Sequence, residues 1–364
     1  MHARSLPHPL YLAPTRERPG RTTIDMSHRF ESAAQEPALF ELHRPDAAAL
    51  QGELAAGLLA RPARTSPKFL YDALGSRLFE AITELAEYYP TRTEALIFAR
   101  HANEMAVAVG PDATLIDLGA GSCAKAARLF DTLRPARYVA VDISVDFLRQ
   151  ALCGLQRQFP AIAMIGVGLD FSASLALPPV ALSGRPVFLH AGSSIGNFAP
   201  DEALAFLRAL CLASHRGGLL IGVDLVKPAA LLEPAYDDAL GVTASFNLNV
   251  LLHLNRLLGS DFNPSQWRHV ALYDSAKARV EMHLEAREPL LVRWPGAERR
   301  FDAGERIHTE NSHKYTPDGF AAMLREAGFT AQRHWLDPQQ WFAVFWAEAG
   351  RERLGGDEAA SADA

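Results

Sequence analysis

The sequence Leu115-Ile-Asp-Leu-Gly-Ala-Gly-Ser-Cys-Ala124 has the pattern of a β-strand that turns sharply into a helix. Apolar residues lead into Gly119 and Gly121, two glycines that permit a tight turn and the close approach of a ligand to the backbone. Ala124 stands where a small residue lets the helix pack against the strand. This G-x-G-x-x-A spacing is typical of nucleotide-binding α/β folds, although the spacing alone is a weak signal.

Neighbouring segments extend this unit into a sheet. Short apolar runs rich in branched residues recur along the chain, at residues 115–118, 138–143, 187–191 and 219–226. Helix-like segments separate them, and the clearest covers residues 200–214, where Pro200 suits the first helical position. Apolar strands that alternate with helices predict a doubly wound α/β fold with a parallel sheet.

The alternation breaks after Pro228 and resumes near Pro317. Between them, a helical pattern over residues 237–258 is followed by two segments, 279–286 and 290–294, whose alternating polarity predicts an antiparallel hairpin. We therefore predict an inserted lobe that binds substrate, made of residues 38–92 and 228–311. The Rossmann-like domain is then formed by residues 93–227 and 312–350, with a loose N-terminal extension, 1–37, and a disordered tail, 351–364.

The composition limits the class of protein. The chain has 364 residues, of which 49% are hydrophobic and 21% charged, with a formal net charge of -6. This is the composition of a globular protein, and no apolar stretch approaches the roughly 18 to 20 residues that cross a bilayer. The mild acidity argues against a nucleic-acid partner, and the cysteines and histidines lack the spacing of a metal site. We expect a cytoplasmic monomer that binds a small molecule, with no metal, nucleic acid or membrane partner.

Acidic residues favour a methyl donor over a dinucleotide at the glycine turn. Asp142 ends the next strand, where a carboxylate can accept hydrogen bonds from ribose hydroxyls. Asp117, inside the first strand, would repel a pyrophosphate but attract the cationic end of S-adenosylmethionine. Asp170 and Phe171 could pair an acceptor for the adenine amino group with an aromatic wall. The alternatives are a turn-stabilising role for Asp117 and a helix cap for Asp142.

Further blocks occur in a fixed order from about Ser66 to Glu348. They include Glu-Tyr-Tyr-Pro-Thr-Arg at residues 87–92, Gly-Ser-Ser-Ile-Gly-Asn at 192–197 and Thr-Glu-Asn-Ser-His-Lys at 309–314, with others at 69–76, 235–249 and 279–284. Together they resemble the histidine-specific Nα-methyltransferases, which trimethylate histidine to its betaine, hercynine, and so open ergothioneine biosynthesis. N-methyltransferases of prenylated tryptophan share the wider family, so tryptophan or its prenylated form stays an alternative substrate.

The resemblance implies a class I methyltransferase fold, a Rossmann-like doubly wound sheet with an inserted α+β substrate-binding lobe. It implies a site for S-adenosylmethionine at Gly119, Lys125, Asp142, Asp170 and Phe171. It also implies a site for L-histidine, made of Tyr71, Tyr88, Gly192, Asn197, Tyr236, Met282, Glu310 and Ser312. The Pro- and Arg-rich start and the acidic tail depart from the family pattern.

The substrate residues have a physical rationale. Glu310 and Ser312 are two apart, hence on one face of an extended segment, and can address both ring nitrogens of histidine. An indole lacks an acceptor nitrogen and would leave Ser312 without a partner, whereas a carboxylate beside imidazole favours the protonated or Nτ–H ring. Tyr88 and Tyr236 can donate hydrogen bonds to the substrate carboxylate. The structural alternatives are a surface charge at Glu310 and core packing at Met282.

Two residues are predicted to assist catalysis. Asn197, with the carbonyl of Gly192, can accept hydrogen bonds from the substrate amine and aim its lone pair at the methyl group. Tyr71 could relay protons through water, and its ring, with that of Tyr88, would attract the quaternary ammonium product. Methyl transfer is an in-line displacement in which positioning and exclusion of water dominate, so no dedicated general base is required.

Two other classes of function use the same glycine turn. A nicotinamide-dependent oxidoreductase is one, and Asp117 argues against it. A binding module that holds the ligands but transfers no methyl group is the other. Lys125 could likewise be only a solvated helix residue.

Overall fold

The computed structural model describes residues 36–42 and 46–350. The predicted tail and all but two residues of the predicted N-terminal extension lie outside this part of the chain. The described residues form the strands β1 (Ala38–Glu41), β2 (Ala63–Arg64), β3 (Ala113–Leu118), β4 (Arg137–Asp142), β5 (Ala163–Gly168), β6 (Arg185–His190), β7 (Gly218–Asp224), β8 (Trp267–Asp274), β9 (Arg279–Ala286), β10 (Leu290–Trp294), β11 (Ala297–Phe301), β12 (Arg306–His313), β13 (Phe329–Leu336) and β14 (Phe342–Ala349).

The α-helices of the same residues are α1 (Ala47–Leu59), α2 (Ala73–Thr83), α3 (Tyr89–Val109), α4 (Ala124–Ala127), α5 (Phe130–Leu133), α6 (Val145–Gln158), α7 (Pro200–Ser214), α8 (Ala229–Leu232), α9 (Val242–Leu258) and α10 (Pro317–Glu326). None of these helices combines the length and the apolar character that a bilayer crossing needs. The predicted helix at residues 200–214 is confirmed at both ends.

The central sheet has the strand order β1-β5-β4-β3-β6-β7-β14-β13. The first six strands are parallel, whereas β14 runs antiparallel to both of its neighbours. Residues 337–341 join β13 to β14, and they are too few for the crossover of a dozen or more residues that parallel neighbours require. The predicted doubly wound α/β fold is confirmed, but the prediction of a wholly parallel sheet is wrong at this edge.

Helices cover both faces of the central sheet because side chains alternate along its strands. Ile116 joins an apolar cluster with residues of α7 and α10, and the adjacent Leu115 joins another with residues of α3 and α6. The chain runs from β3 towards β5 on one side and from β6 to β7 on the other. Ligands of such sheets bind where the strand order reverses, at the carboxyl ends of the strands.

A third apolar cluster lies outside the central sheet. It combines residues of α1, α2 and α9 with residues of β8, β9 and β12, and Phe246 and Trp267 are among its large buried side chains. The strands belong to a second sheet of order β2-β12-β9-β8. This cluster packs against β9 and β12 and so positions the predicted substrate residues Met282, Glu310 and Ser312.

Strand β1 does not belong to this third cluster, and the prediction is wrong for it. It pairs with β5 at the edge of the central sheet. Leu39 and Phe40 explain this position, since they pack against the apolar clusters on opposite faces of that sheet.

Two further local predictions are wrong. Strand β9 pairs with β8 and β12, not with β10, and β10 pairs with β11 across a turn at Pro295 and Gly296, where the positive φ of 87° suits glycine. The helix predicted from residue 237 begins at Val242, because the Asp238 carboxylate accepts hydrogen bonds from the backbone N–H groups of Val242 and Thr243 at 3.0 and 2.7 Å.

The segment after β6 crosses β12 in close contact. A Cβ added at Gly196 would lie 2.8 Å from the carbonyl oxygen of His313 and 3.1 Å from its nitrogen. We therefore expect Gly196→Ala to destabilise the fold by about 1 to 3 kcal/mol, because backbone atoms would have to move. Thermal or chemical unfolding of the purified variant measures this change.

Gly154→Ala is the matched control. Nothing lies within 4 Å of a Cβ at this position in α6, and alanine is the better helix former by about 1 kcal/mol. This variant should be as stable as the wild type or slightly more stable. Equal stability of both variants would show that the crossing at Gly196 is looser than the geometry indicates.

Candidate active site

One pocket is lined by all eight residues predicted for substrate: Tyr71, Tyr88, Gly192, Asn197, Tyr236, Met282, Glu310 and Ser312. They come from separate elements. Tyr71 and Tyr88 flank α2, Gly192 and Asn197 follow β6, Tyr236 precedes α9, and the other three lie on β9 and β12. Their convergence places the pocket between the carboxyl edge of the central sheet and the second sheet.

The pocket has an aromatic wall that the sequence reading missed. Phe79 of α2 and Phe246 of α9 also line it. The Tyr71 ring meets both edge to face, with centroids 5.6 Å from Phe79 and 5.5 Å from Phe246. Both phenylalanines sit on apolar helix faces, and nothing in the sequence separates such residues from ordinary core positions.

Glu310 and Ser312 share one face of β12, as their spacing predicts. A register shift between His308 and Glu310 precedes them. Glu310 is 7% exposed, and burial raises the pKa of its carboxyl to about 8, against a smaller opposing effect of Lys314. Asn197 donates a hydrogen bond from Nδ2 to Glu310 Oε2 at 3.2 Å, which leaves the amide oxygen of Asn197 to accept. Glu310 is therefore not a surface charge.

Ser312 belongs to a buried ionic network that the sequence did not reveal. Its hydroxyl lies 2.7 Å from the hydroxyl of Tyr236, and Lys314 donates from Nζ to both oxygens, at 2.7 and 2.8 Å. Lys314 also pairs with Asp224, 2.8 Å away, and Asp224 pairs with Lys227 at 2.6 Å. The hydroxyl of Tyr236 thus has two protein partners besides any ligand.

The charges of this network stabilise one another. Burial alone would raise the pKa of Asp224, but the ammonium groups of Lys314 and Lys227 hold it below its ordinary value. Tyr89 donates its hydroxyl proton to Asp224 Oδ2 at 2.7 Å. The adjacent Tyr88 and Tyr89 therefore have different functions: one faces the pocket, and the other secures Asp224.

The remaining phenols of the pocket are free to contact a ligand. Tyr71 and Tyr88 both line the pocket, and among the described residues no hydrogen bond ties either hydroxyl to a protein partner as Asp224 ties that of Tyr89. Burial raises the pKa of both phenols well above the ordinary value. They stay protonated near neutral pH, so Tyr71 can donate or relay a proton but cannot serve as a phenolate base.

The residues predicted for the donor lie at the neighbouring edge of the central sheet. Gly119 has a φ of 75°, and a Cβ there would be 3.8 Å from the Phe171 ring. Asp142 accepts hydrogen bonds from the N–H groups of Gly121, at 3.0 Å, and Ser144, at 2.9 Å. The structure therefore brings the glycine turn, the aromatic ring and a carboxylate together.

Asp170 and Lys125 complete this edge. Asp170 accepts from the N–H of Ser172 at 3.1 Å and lies 3.8 Å from Lys68. Lys125 pairs with Glu94 at 3.0 Å, and the other oxygen of Glu94 accepts from the N–H of Gly192 at 2.7 Å. Glu94, which the sequence reading missed, thus links the glycine turn to the substrate pocket.

The predicted donor site has carboxylate acceptors but a lysine that is already paired, which fits a nucleoside that carries no phosphates. Asp142 and Asp170 offer acceptors for hydroxyl and amino groups, while the cation at the turn, Lys125, is already paired with a carboxylate. Asp117 plays no such role, since it is 4% exposed and accepts a hydrogen bond from Tyr138 at 2.8 Å, and burial raises its pKa to about 7. Asp117 therefore has a structural partner on the neighbouring strand β4, and the turn itself is bonded by Asp142.

The sequence profile of a family described as histidine-specific methyltransferase, SAM-dependent, matches residues 50–349. The chain belongs to this family. The predicted family is confirmed, and with it the class of enzyme, a methyltransferase of class I fold that uses S-adenosylmethionine. Membership removes the support for the nicotinamide-dependent alternative.

Curated relatives agree with the family match. Histidine N-alpha-methyltransferase of Mycolicibacterium smegmatis is 42% identical over 299 residues, which are 80% of this chain and 92% of that protein. The protein of the same name from Mycobacterium tuberculosis is 41% identical over 296 residues, 79% of this chain and 91% of the relative. Ergothioneine biosynthesis protein 1 of Neurospora crassa is 30% identical over 284 residues, 75% of this chain but 32% of that longer protein.

The raised pKa of Glu310 has a consequence for stability. A carboxyl whose pKa rises on folding from its ordinary 4.5 to about 8 stabilises the fold fully below the lower value, and this contribution is lost as the pH rises through the higher one. Glu310→Gln cannot ionise. Its advantage in stability over the ligand-free wild type should therefore grow as the pH rises from 5 to 9. The expected gain in the free energy of unfolding is on the order of 3 kcal/mol.

Urea unfolding of both proteins at several pH values measures this difference. Glu326→Gln is the control, since that side chain is 62% exposed, and its stability should follow the wild type at every pH. A constant difference between Glu310→Gln and wild type across the range would mean that Glu310 ionises normally.

Proposed function

We propose that the protein transfers three methyl groups in succession from S-adenosylmethionine to the α-amine of L-histidine. The product is hercynine, and the reaction is the first step of ergothioneine biosynthesis. The observation that carries the proposal is the buried pair Glu310 and Ser312, which face the same aromatic pocket from β12. The names of the two bacterial relatives support the same substrate, and that of the fungal relative supports the same pathway.

The imidazole ring is the group that distinguishes histidine from other amino acids. Glu310 and Ser312 present a carboxyl and a hydroxyl two residues apart on one strand, so that they can address both ring nitrogens. An indole would leave one of these buried polar groups without a partner, a mismatch that discriminates strongly in a closed pocket. Met282 pairs with Glu310 across the strands and supplies an apolar contact beside the ring.

The substrate amine lies, in this proposal, between Gly192 and Asn197. The carbonyl oxygen of Gly192 and the amide oxygen of Asn197 accept hydrogen bonds from the amine and orient its lone pair. Bound S-adenosylmethionine supplies an electrophilic methyl group on sulfur. The phenols of Tyr71 and Tyr88 donate to the carboxylate or to water, and their faces attract the cation that forms on the substrate nitrogen.

The donor is held at Gly119, Lys125, Asp142, Asp170 and Phe171. Asp142 accepts from the ribose hydroxyls and Asp170 from the adenine amino group, while Phe171 forms the wall of the adenine site. Glu94 fixes the distance between this edge and the substrate amine, because it binds Lys125 and Gly192 at once.

The domain division stays a proposal, with two changes from the predicted bounds. We propose that the donor-binding part comprises residues 93–227 and 314–350, and the substrate lobe residues 228–313 together with the part of 38–92 that follows β1. The predicted boundary between residues 311 and 312 is moved because it falls inside β12, a strand of the second sheet. A cytoplasmic, monomeric enzyme remains our expectation.

Incubation of the purified protein with S-adenosylmethionine and single amino acids tests the reaction. L-Histidine should gain three methyl groups by mass spectrometry, whereas tryptophan and prenylated tryptophan should gain none under the same conditions. Methylation of tryptophan without methylation of histidine would overturn the proposed substrate. Donor binding without any transfer would identify a binding module instead.

Two substitutions should separate the two sites. Glu310→Ala removes the buried carboxyl that accepts from the ring N–H and leaves that donor unpaired. It should weaken histidine binding by roughly 1.5 to 3 kcal/mol while S-adenosylhomocysteine binding stays unchanged. Asp142→Ala should weaken S-adenosylhomocysteine binding instead. Calorimetric titration of each variant with each ligand measures both effects.

The two variants are controls for each other. If Glu310→Ala lowers the affinity for both ligands equally, its role is structural rather than substrate binding. If Asp142→Ala binds S-adenosylhomocysteine as the wild type does, its carboxylate serves only the backbone of the turn.

A further inference from the structure

The ammonium group of Lys314 has its three N–H donors fully used. They point to Asp224 Oδ2 at 2.8 Å, to the hydroxyl oxygen of Tyr236 at 2.8 Å and to Ser312 Oγ at 2.7 Å. The Lys314 side chain is completely buried. Lys314 therefore occupies one acceptor position on each of the two pocket hydroxyls.

The two hydroxyls also bond to each other, so their protons can be counted. Tyr236 and Ser312 carry two hydroxyl protons, and one of them lies in the 2.7 Å bond between the two oxygens. The other proton must point away from the pair, and the pocket is where both side chains face. The pair therefore offers the ligand one hydrogen-bond donor.

The relative acidity of the two hydroxyls decides which of them donates. A phenol is the stronger acid and the better donor, and an alkyl hydroxyl is the better acceptor, so Tyr236 donates to Ser312. Ser312 then accepts from both Tyr236 and Lys314, and both of its lone pairs are used. Its own proton is left for the ligand.

The charge of the network favours the same arrangement. Lys314 and Lys227 share the carboxylate of Asp224. Glu310 faces the same ring position, but burial raises its pKa to about 8, so it is mostly uncharged near neutral pH and leaves an excess positive charge behind Ser312. A protonated imidazolium would add a further cation at this end of the pocket, and its second N–H would point at a hydroxyl that cannot accept. A neutral ring avoids both costs, since it has one nitrogen that accepts and one that donates.

We propose that Lys314 is a positioning residue that makes Ser312 an obligatory hydrogen-bond donor, so that the pocket takes the neutral imidazole ring of the substrate. Ser312 donates to the ring nitrogen that carries a lone pair, and Glu310 accepts from the N–H of the other nitrogen. The protonated ring considered from sequence is thereby disfavoured. This inference rests on the proposed histidine methylation.

Substrate analogues that lack one ring acceptor test the inference. 3-(Pyrrol-2-yl)-L-alanine and 3-(pyrrol-3-yl)-L-alanine each keep one ring N–H and replace the other nitrogen by C–H. We define the discrimination factor as kcat/KM for histidine divided by kcat/KM for the better analogue. The wild type should show a factor of about 100 or more, because a buried hydroxyl donor loses its partner.

Lys314→Met should lower this factor by at least about tenfold. Without Lys314, a lone pair of Ser312 becomes free and its proton can turn towards Tyr236. The fall in the factor should come mainly from a higher KM for histidine, since the analogues form no hydrogen bond with the Ser312 hydroxyl donor in either protein. A residue with a purely structural role would depress both substrates alike and leave the factor unchanged.

Lys227→Met is the matched control. Lys227 is buried and bound to Asp224 as Lys314 is, but it contacts neither pocket hydroxyl. Its variant should keep the discrimination factor within about threefold of the wild type, whatever its overall activity. An equal fall of the factor in both variants would assign the effect to Asp224 and would overturn the inference.

The remaining outcomes are also decisive. If circular dichroism shows that Lys314→Met does not fold, Ser312→Ala takes its place. Loss of the discrimination between histidine and the analogues in this variant supports the inference, and unchanged discrimination overturns it. A wild type that uses the analogues as well as histidine overturns the inference but not the proposed function. A wild type that does not methylate histidine overturns both together.

Discussion

Asp224 is the residue through which the parts of the active site are connected. Its carboxylate, at the end of β7, binds two buried lysines and the phenol of Tyr89, and its backbone N–H donates to Ser193 Oγ at 2.8 Å. One residue thus joins the central sheet, the start of α3, the loop after β6 and the end of β12. A buried carboxylate without partners would cost several kcal/mol, so these elements are held in one arrangement. The contacts that pair the Asp224 charge therefore also fix the relative positions of the elements that line the pocket.

Glu94 performs a comparable task between the two ligand sites. It is almost fully buried and divides its oxygens between Lys125, just after the glycine turn, and the N–H of Gly192. The donor edge and the amine position therefore share one carboxylate. In an in-line transfer the distance between donor and acceptor atoms controls the rate, so a rigid link of this kind has direct catalytic value.

The sequence predicted the parts of the fold and site that have local signals. The glycine turn and the apolar runs gave the α/β fold, and the recognised blocks gave eight pocket residues that converge in space. The sequence predicted the wrong location for β1 and the wrong partner for β9, since strand pairing depends on segments that are distant along the chain. It also missed Glu94 and Asp224, and it gave no role to Lys314, although this residue ends the block at 309–314. Glu94 contacts Gly192, a residue 98 positions away, and no periodicity or spacing records a contact of that kind.

The separation of the apolar cores has an evolutionary consequence. Phe79 and Phe246, which shape the pocket wall, belong to the core built on α2 and α9, whereas the strands that carry the glycine turn belong to the two cores of the central sheet. Mutations that remodel the wall leave the packing around the turn unchanged. Natural selection can in this way change which amine is modified while the site that binds the methyl donor is conserved.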